Sequence, residues 1–279
     1  MTPGVLGAIL VAAILHAAWN AITKWIPDRL VSSSLLGTAY AVVGAVGVAL
    51  LPLPAGAAWP FLIASSLTQV AYLLILVASY QVGDFSQVYP IARGLSPLLV
   101  TIFSVAVLGQ HATGPELLGI AVVCAGIGGL VFVNGWPKAG AGHGLAAITG
   151  LIIATYTLLD GVGVRHSGGH PVSYAMWLFL LQGPVLVAIG LVREGVRRHL
   201  QRLARVWWPG LTGGVLSLAA YAIVVWAQSR SPLASVATLR ETSVIFGAGI
   251  GWLVFGERFG TVRLMSAVLV AAGIVAIAV

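Results

Sequence analysis

The chain is poor in what a soluble protein uses to meet water. Only 8% of its 279 residues are charged, against about 25% in an ordinary soluble domain. Acids are scarcer still, with 7 Asp and Glu against 14 Lys and Arg. The one cysteine, Cys124, lies inside an apolar run, so no intrachain disulfide can form and the redox compartment is left open. There is no GxxxxGK[ST] loop to cradle nucleotide phosphates, and no HExxH or CxxC spacing to hold a metal. These absences argue against ATP hydrolysis, a metal site and any soluble catalytic module. No cofactor is expected, and the chain is not expected to be an enzyme.

Apolar residues are abundant instead, at 59% of the chain with a mean hydropathy of +1.02. The excess of basic residues does not point to nucleic acid, because most of them lie between or at the ends of apolar runs, where they set membrane orientation. Runs of about 20 apolar residues, the length needed to cross a bilayer, fall near 3–24, 30–52, 57–80, 86–108 and 113–134. Five more fall near 143–165, 171–192, 207–229, 234–256 and 260–279. The first is of full span length with no basic region ahead of it, and reads as a retained helix rather than a cleaved signal peptide. The expected fold is an all-α integral membrane protein of ten transmembrane helices, arranged as two inverted five-helix repeats. The boundaries are 1–137 and 138–279, with an Arg-rich connection at 193–206 inside the second.

Matches between the halves support the duplication. Arg93, Ser96, Gly109 and Gly126 fall on Arg240, Ser243, Gly256 and Gly273 at one constant offset, with Gln110 on Glu257 and Leu117 on Leu264. An odd number of spans per half forces the second copy to enter the membrane upside down, a design many secondary transporters use with the substrate between the copies. Lys24, Arg29, Lys138, Arg193, Arg197, Arg198, Arg202, Arg205, Arg258 and Arg263 collect on one side, whereas Arg165 and Arg230 lie on the other. That bias places the odd-numbered connections in the cytoplasm and both termini outside, in a cell (inner) membrane.

The polar residues inside the spans are the candidate site. Arg93 lies roughly 9 Å into the fourth span at about 1.5 Å per residue, and Ser96, Pro97, Val100, Thr101 and Ser104 form a partly polar stripe behind it that should avoid lipid. Arg240 and Glu241 lie at a similar depth in the ninth. Being adjacent, they point about 100° apart on a helix, so one is expected to bind while the other pairs. His16 and Asn20 recur at helical spacing on the first span with Trp19 beside them. Gln69 and Tyr72 share a face of the third span, as do Ser217, Tyr221 and Gln228 on its repeat partner. Tyr156 and Asp160 line up on the sixth, where Asp160 is open to a coupling role or to a structural pair with an arginine. Gly247 with Gly251, and Ala121, Ala125 and Gly129, have the small-residue spacing of close helix packing.

Four segments then carry a family resemblance: HAAWNAITKW in the first span, VYPIARGLSPLL in the fourth, TYTLLDGVGVR in the sixth and LRETSVIFGAGIGWLVFGER in the ninth. Together they resemble the EamA-type transporters of the drug/metabolite transporter (DMT) superfamily over essentially the whole chain. The resemblance implies a secondary transporter with a central cavity lined by the first, third, fourth, sixth, eighth and ninth spans. Members move amino acids and other small metabolites, nucleotide sugars or drugs. Ten-span relatives commonly keep both termini in the cytoplasm, opposite to the loop charges here.

The expected substrate-binding set is Arg93, Arg240, Glu241, Trp19, Asn20, Gln69, Tyr72, Tyr89, Ser96, Tyr156, Tyr221 and Ser243. Asp160, Glu241 and His16 are the candidates to carry a coupling proton. Paired arginines suit a carboxylate or phosphonate and an acid suits an amino group, so the expected cargo is an amino acid or related zwitterion, with export implied by the resemblance. A multidrug exporter of lipophilic cations, a phosphonate-type permease and, more distantly, a membrane-embedded enzyme are the competing functions. The expected partners are a small-molecule substrate, membrane lipids and a coupling proton, with monomer and homodimer both open.

Overall fold

The computed structural model describes the backbone of residues 1–82, 85–133, 141–256 and 260–278, and within these the side chains outside 76–82, 85–87, 89, 141, 255 and 278. Among the described residues every regular element is a helix. In chain order these are α1 (Pro3–Lys24), α2 (Arg29–Leu50), α3 (Trp59–Val82), α4 (Phe85–Ala106) and α5 (Gly114–Gly129, extended by a 3₁₀ turn to Phe132). Then come α6 (Ala141–Arg165), α7 (Pro171–Glu194), α8 (Val196–Arg205), α9 (Trp207–Gln228), α10 (Leu233–Arg240), α11 (Ser243–Phe255) and α12 (Thr261–Ala278). Local chemistry sets several starts. Proline opens α1 and α7, where its missing N–H costs nothing. The Asp28 carboxylate accepts from the Leu30 and Val31 amides to cap α2, and Thr113 with Glu116 forms a capping box on α5.

Among the described residues seven helices are long and apolar enough to cross a membrane: Pro3–Lys24, Arg29–Leu50, Gly56–Ile75, Gly114–Phe132, Gly142–Arg165, Pro171–Glu194 and Trp207–Gln228. Pro90–Ala106 and Thr261–Ile277 are shorter apolar stretches. The chain is therefore a multi-pass membrane protein. Two expectations are corrected. The span expected at 234–256 is two helices, because the chain tightens at the junction: the amides of Glu241, Thr242, Val244 and Ile245 each donate to the carbonyl three residues back, at 2.9–3.1 Å, in 3₁₀ rather than α spacing. The connection at 193–206 is not simply a linker but contains α8, which docks through the buried His199 and Leu203.

α2 packs along α7, α5 along α12, α3 along α6, and α1 along α9. Lipid is as apolar as leucine, so inside a membrane close fit, more than burial, holds helices together. Glycine supplies that fit. A methyl group at Gly37 would sit 2.7 Å from the Gly183 carbonyl oxygen, and one at Gly119 would sit 2.6 Å from that of Gly273. The spacing read at Gly247 is not such a contact, since among the described residues nothing lies within 4 Å of where its Cβ would be. Gly109 and Gly256, which follow α4 and α11, adopt φ of 62° and 64°, a left-handed turn only glycine makes cheaply.

One buried cluster joins α1, α5, α9, α10 and α12 through Ile9, Val123, Ile127, Val224, Leu239 and Val270. A second joins α3, α7 and α9 through Leu62, Tyr174, Phe179 and Val225. The polar residues lie between helices. On α4 the whole stripe of Arg93, Ser96, Pro97, Val100, Thr101 and Ser104 is buried, while Leu98, Ile102, Phe103 and Val105 are exposed on the opposite face.

Candidate functional site

Two polar clusters occupy the interior. In the first, one Arg93 nitrogen, Nη1, donates to both Glu241 oxygens, at 3.1 and 3.0 Å. Nη2 of the same side chain meets His16 Nε2. Arg240 reaches the same carboxylate less closely, with Nε and Nη2 each 3.4 Å from Oε1. Arg93, Arg240 and Glu241 are 7%, 3% and 0% exposed. Among the described residues two guanidiniums thus share this one carboxylate. The local fold explains the sharing: the tightened turn after Arg240 places Glu241 where α4 and α10 meet, and Pro97 on α4 leaves the Arg93 carbonyl without its helical donor.

His16 is held between two donors. Trp19 Nε1 donates to its Nδ1 at 3.3 Å and Arg93 approaches Nε2. A neutral imidazole has only one acceptor nitrogen and an imidazolium none, so one of those contacts must lapse, and both must if His16 takes a proton. Asn20 Nδ2 donates to the His16 carbonyl at 2.7 Å, a bond within its own helix.

The second cluster surrounds Asp160, which is fully buried. Gln69 Nε2 on α3 donates at 3.0 Å, the Tyr221 hydroxyl on α9 at 2.5 Å and the Tyr174 hydroxyl on α7 at 3.1 Å. Among the described residues no arginine pairs with it, so of the two readings left open for Asp160 the arginine pair is not seen. Three neutral donors satisfy the carboxylate's lone pairs without cancelling its charge. Aromatic rings link the clusters: Tyr72 and Tyr156 lie 5.8 Å apart, and Tyr156 and Tyr221 6.2 Å apart.

The structure therefore brings His16, Arg93, Arg240 and Glu241 into one group, with Trp19 and Asn20 attached through His16. Gln69, Tyr221 and Asp160 form another, and Tyr72 and Tyr156 lie between. Ser96 and Ser243, each three residues beyond an arginine, are buried with no hydrogen-bond partner for their hydroxyls among the described residues, as is Thr242. The side chain of Tyr89 lies outside the described residues, as do Glu257 and Arg258. Tyr174 was not among the expected residues. A tyrosine near the start of a span looks interfacial, and only the packing of α7 on α3 and α6 turns it inward.

A model of the EamA-like transporter family matches residues 140–279. The chain belongs to that family. It is also similar to the pseudopaline exporter CntI of Pseudomonas aeruginosa, in two strains, at 26% identity over 98% of this chain and 95% of the exporter. A solved structure, described only as a crystal structure of a protein, matches with a TM-score of 0.78 at 16% identity, covering 99% of this chain and 96% of its own. At that identity it speaks for the fold alone. As an EamA-type member of the DMT superfamily, the chain is a membrane transporter and not an enzyme.

Proposed function

We propose that the chain is a secondary transporter that carries a small zwitterionic metabolite of amino-acid type outward, by alternating access to a site between two inverted five-span halves, 1–137 and 138–279. The observation that carries this is the charge imbalance of the two clusters. Among the described residues Arg240 is left under-neutralised because Glu241 is committed to Arg93, while the donors around Asp160 are all neutral. A ligand with a carboxylate for Arg240 and an ammonium for Asp160 would balance both, with Tyr72, Tyr156 and Tyr221 between them and the Ser96 and Ser243 hydroxyls to hand.

The packing pairs support two copies: α2 with α7, α5 with α12, and α3–α6 mirrored by α1–α9. The left-handed turns at Gly109 and Gly256 fall at matching positions of the halves. The end that carries Asp28 and α8 holds most of the arginines, which supports placing it in the cytoplasm. CntI's description as an exporter supports the outward direction. For a coupling proton, Asp160 is the better carrier, since His16 faces two donors and Glu241 two arginines.

Counterflow in proteoliposomes tests this, comparing zwitterionic amino acids with analogues lacking either the carboxylate (amides) or the ammonium (N-acyl forms). A hydrogen bond to a charged group is worth about 1.5–3 kcal/mol, so each analogue should lose roughly ten- to a hundredfold in apparent affinity. Arg240→Gln should abolish discrimination against the amide, and Asp160→Asn that against the N-acyl form. Transport of lipophilic cations alone, indifferent to Arg240→Gln, would replace this proposal with the multidrug one, which the aromatic surround of Asp160 favours.

A further inference from the structure

We propose that α8 is an interfacial helix that binds anionic phospholipid, its arginines on the headgroup and the groove beside Trp207 and Trp208 on an acyl chain. The proposal is independent of what the interior carries. Turning 100° per residue, α8 presents three different faces. One docks on the protein: His199 is fully buried, with Nδ1 2.8 Å from Glu194 Oε2 and Nε2 2.9 Å from Ser34 Oγ, and Arg202 pairs with both Glu194 and Asp28. A second face is apolar yet exposed, through Val196, Leu200 and Ala204. The third carries Arg197, Arg198 and Arg205, all exposed and none in an ion pair among the described residues.

No single aqueous or hydrocarbon setting suits the two outward faces. Water penalises Val196 and Leu200, and hydrocarbon penalises three guanidiniums. At headgroup depth both are satisfied. The helix leads into Trp207 and Trp208, which share that depth preference and stand with ring centroids 5.9 Å apart. With Leu211, Thr212, Val215 and Leu216 they line an open, apolar groove of about 290 Å³ that runs into the span.

The charge of the occupant follows from what the docking face has used. Arg202 and His199 take up Asp28 and Glu194, so the three outward arginines have no counter-charge from either acid. Guanidinium binds phosphate through paired N–H bonds, and each basic residue near a membrane surface contributes roughly a fivefold gain in affinity for anionic lipid.

The test is a thermal-shift titration of the full-length purified protein with phosphatidylglycerol and phosphatidylcholine of identical acyl chains. Phosphatidylglycerol should stabilise at roughly a hundredfold lower concentration, and the gap should close as salt is raised. The R197Q/R198Q/R205Q protein should lose the gap, whereas the triple lysine protein should keep most of it. V196S/L200S should weaken both lipids alike. Equal stabilisation of the wild type by the two lipids overturns the proposal, as does a preference that survives the triple glutamine substitution. Soluble glycerol 3-phosphate that matches phosphatidylglycerol would reduce the site to a free-anion site and also overturn it. If the glutamine protein does not insert, the wild-type salt titration decides alone.

Discussion

Because Glu241 takes two bonds from a single Arg93 nitrogen and only 3.4 Å contacts from Arg240, the two arginines should differ when each is removed. Removing one member of a buried ion pair typically costs about 3–5 kcal/mol, since the survivor is left charged and unpaired. Arg93→Gln leaves Glu241 only the longer contacts from Arg240, so it is expected to cost about 3 kcal/mol, the lower end of that range. Arg240→Gln leaves Glu241 with its main partner and should cost on the order of 1 kcal/mol, closer to one ordinary hydrogen bond, while impairing transport more. Glu241→Gln should be the most destabilising of the three, because it strands two guanidiniums. Unfolding of the purified variants in detergent measures this, and a double-mutant cycle across Arg93 and Glu241 isolates their coupling. Equal losses for the two arginines would refute a division between a structural and a ligand-facing guanidinium.

At the scale of the helix, caps and contacts make separable predictions. Burial alone would push the Asp28 carboxyl upward, but the Val31 and Leu30 amides and the Arg202 guanidinium outweigh it and hold it below its ordinary value. A carboxyl so lowered adds stability that is complete above the unfolded value of about 3.9 and fades as pH falls through the folded one. Asp28→Asn should keep much of the cap but lose that acid-side slope, while Asp28→Ala should cost about 1 kcal/mol at neutral pH. Melting curves between pH 3 and 7 compare them.

Glycine gives a sharper contrast. Gly183→Ala would bring a methyl group 2.5 Å from the Ala41 amide nitrogen and force α2 from α7, costing about 1–3 kcal/mol as overpacking does. Gly247→Ala meets nothing within 4 Å and should stabilise α11 by up to about 1 kcal/mol. Sequence spacing suggested the reverse for Gly247, because spacing marks a small face without saying what lies against it. The burial of Arg93, Ser96, Thr101 and Ser104 was legible, since a polar stripe at helical period has no place in lipid. The division of α10 from α11 was not: LRETS holds neither glycine nor proline, and the tightened turn coincides with the meeting of Glu241 and two arginines from different helices. Tyr174 was hidden for the same reason, its partner Asp160 being a contact between helices.

For the whole molecule, contacts join residues before 138 to residues after it at two places. At one end the Ala55 amide donates to the Ser167 carbonyl at 3.2 Å, Ser173 Oγ to the Pro52 carbonyl at 2.6 Å, and the Leu233 amide to Gln110 Oε1 at 3.1 Å. At the other, Arg202 of α8 pairs with Asp28 of the α1–α2 connection. A carrier that alternates must break one set while keeping the other, since opening both would make a pore. Cysteine pairs at 55 with 167 and at 28 with 202, placed in a Cys124→Ala background, provide the test, Cys124 being the chain's one native cysteine. Cross-linking either pair should arrest counterflow while leaving ligand-induced stabilisation intact, because each locks an end and neither touches the interior clusters. A ligand gradient that draws the protein open at one end should make the pair there more reactive towards maleimide and the other pair less so. Flux that persists with both ends cross-linked would mean that neither contact set gates the path, and reactivity rising at both ends together would describe a pore. Reciprocal change at the two ends would support the proposed alternating access, with the Arg93–Glu241–Arg240 cluster, where α4 meets α10, as its pivot.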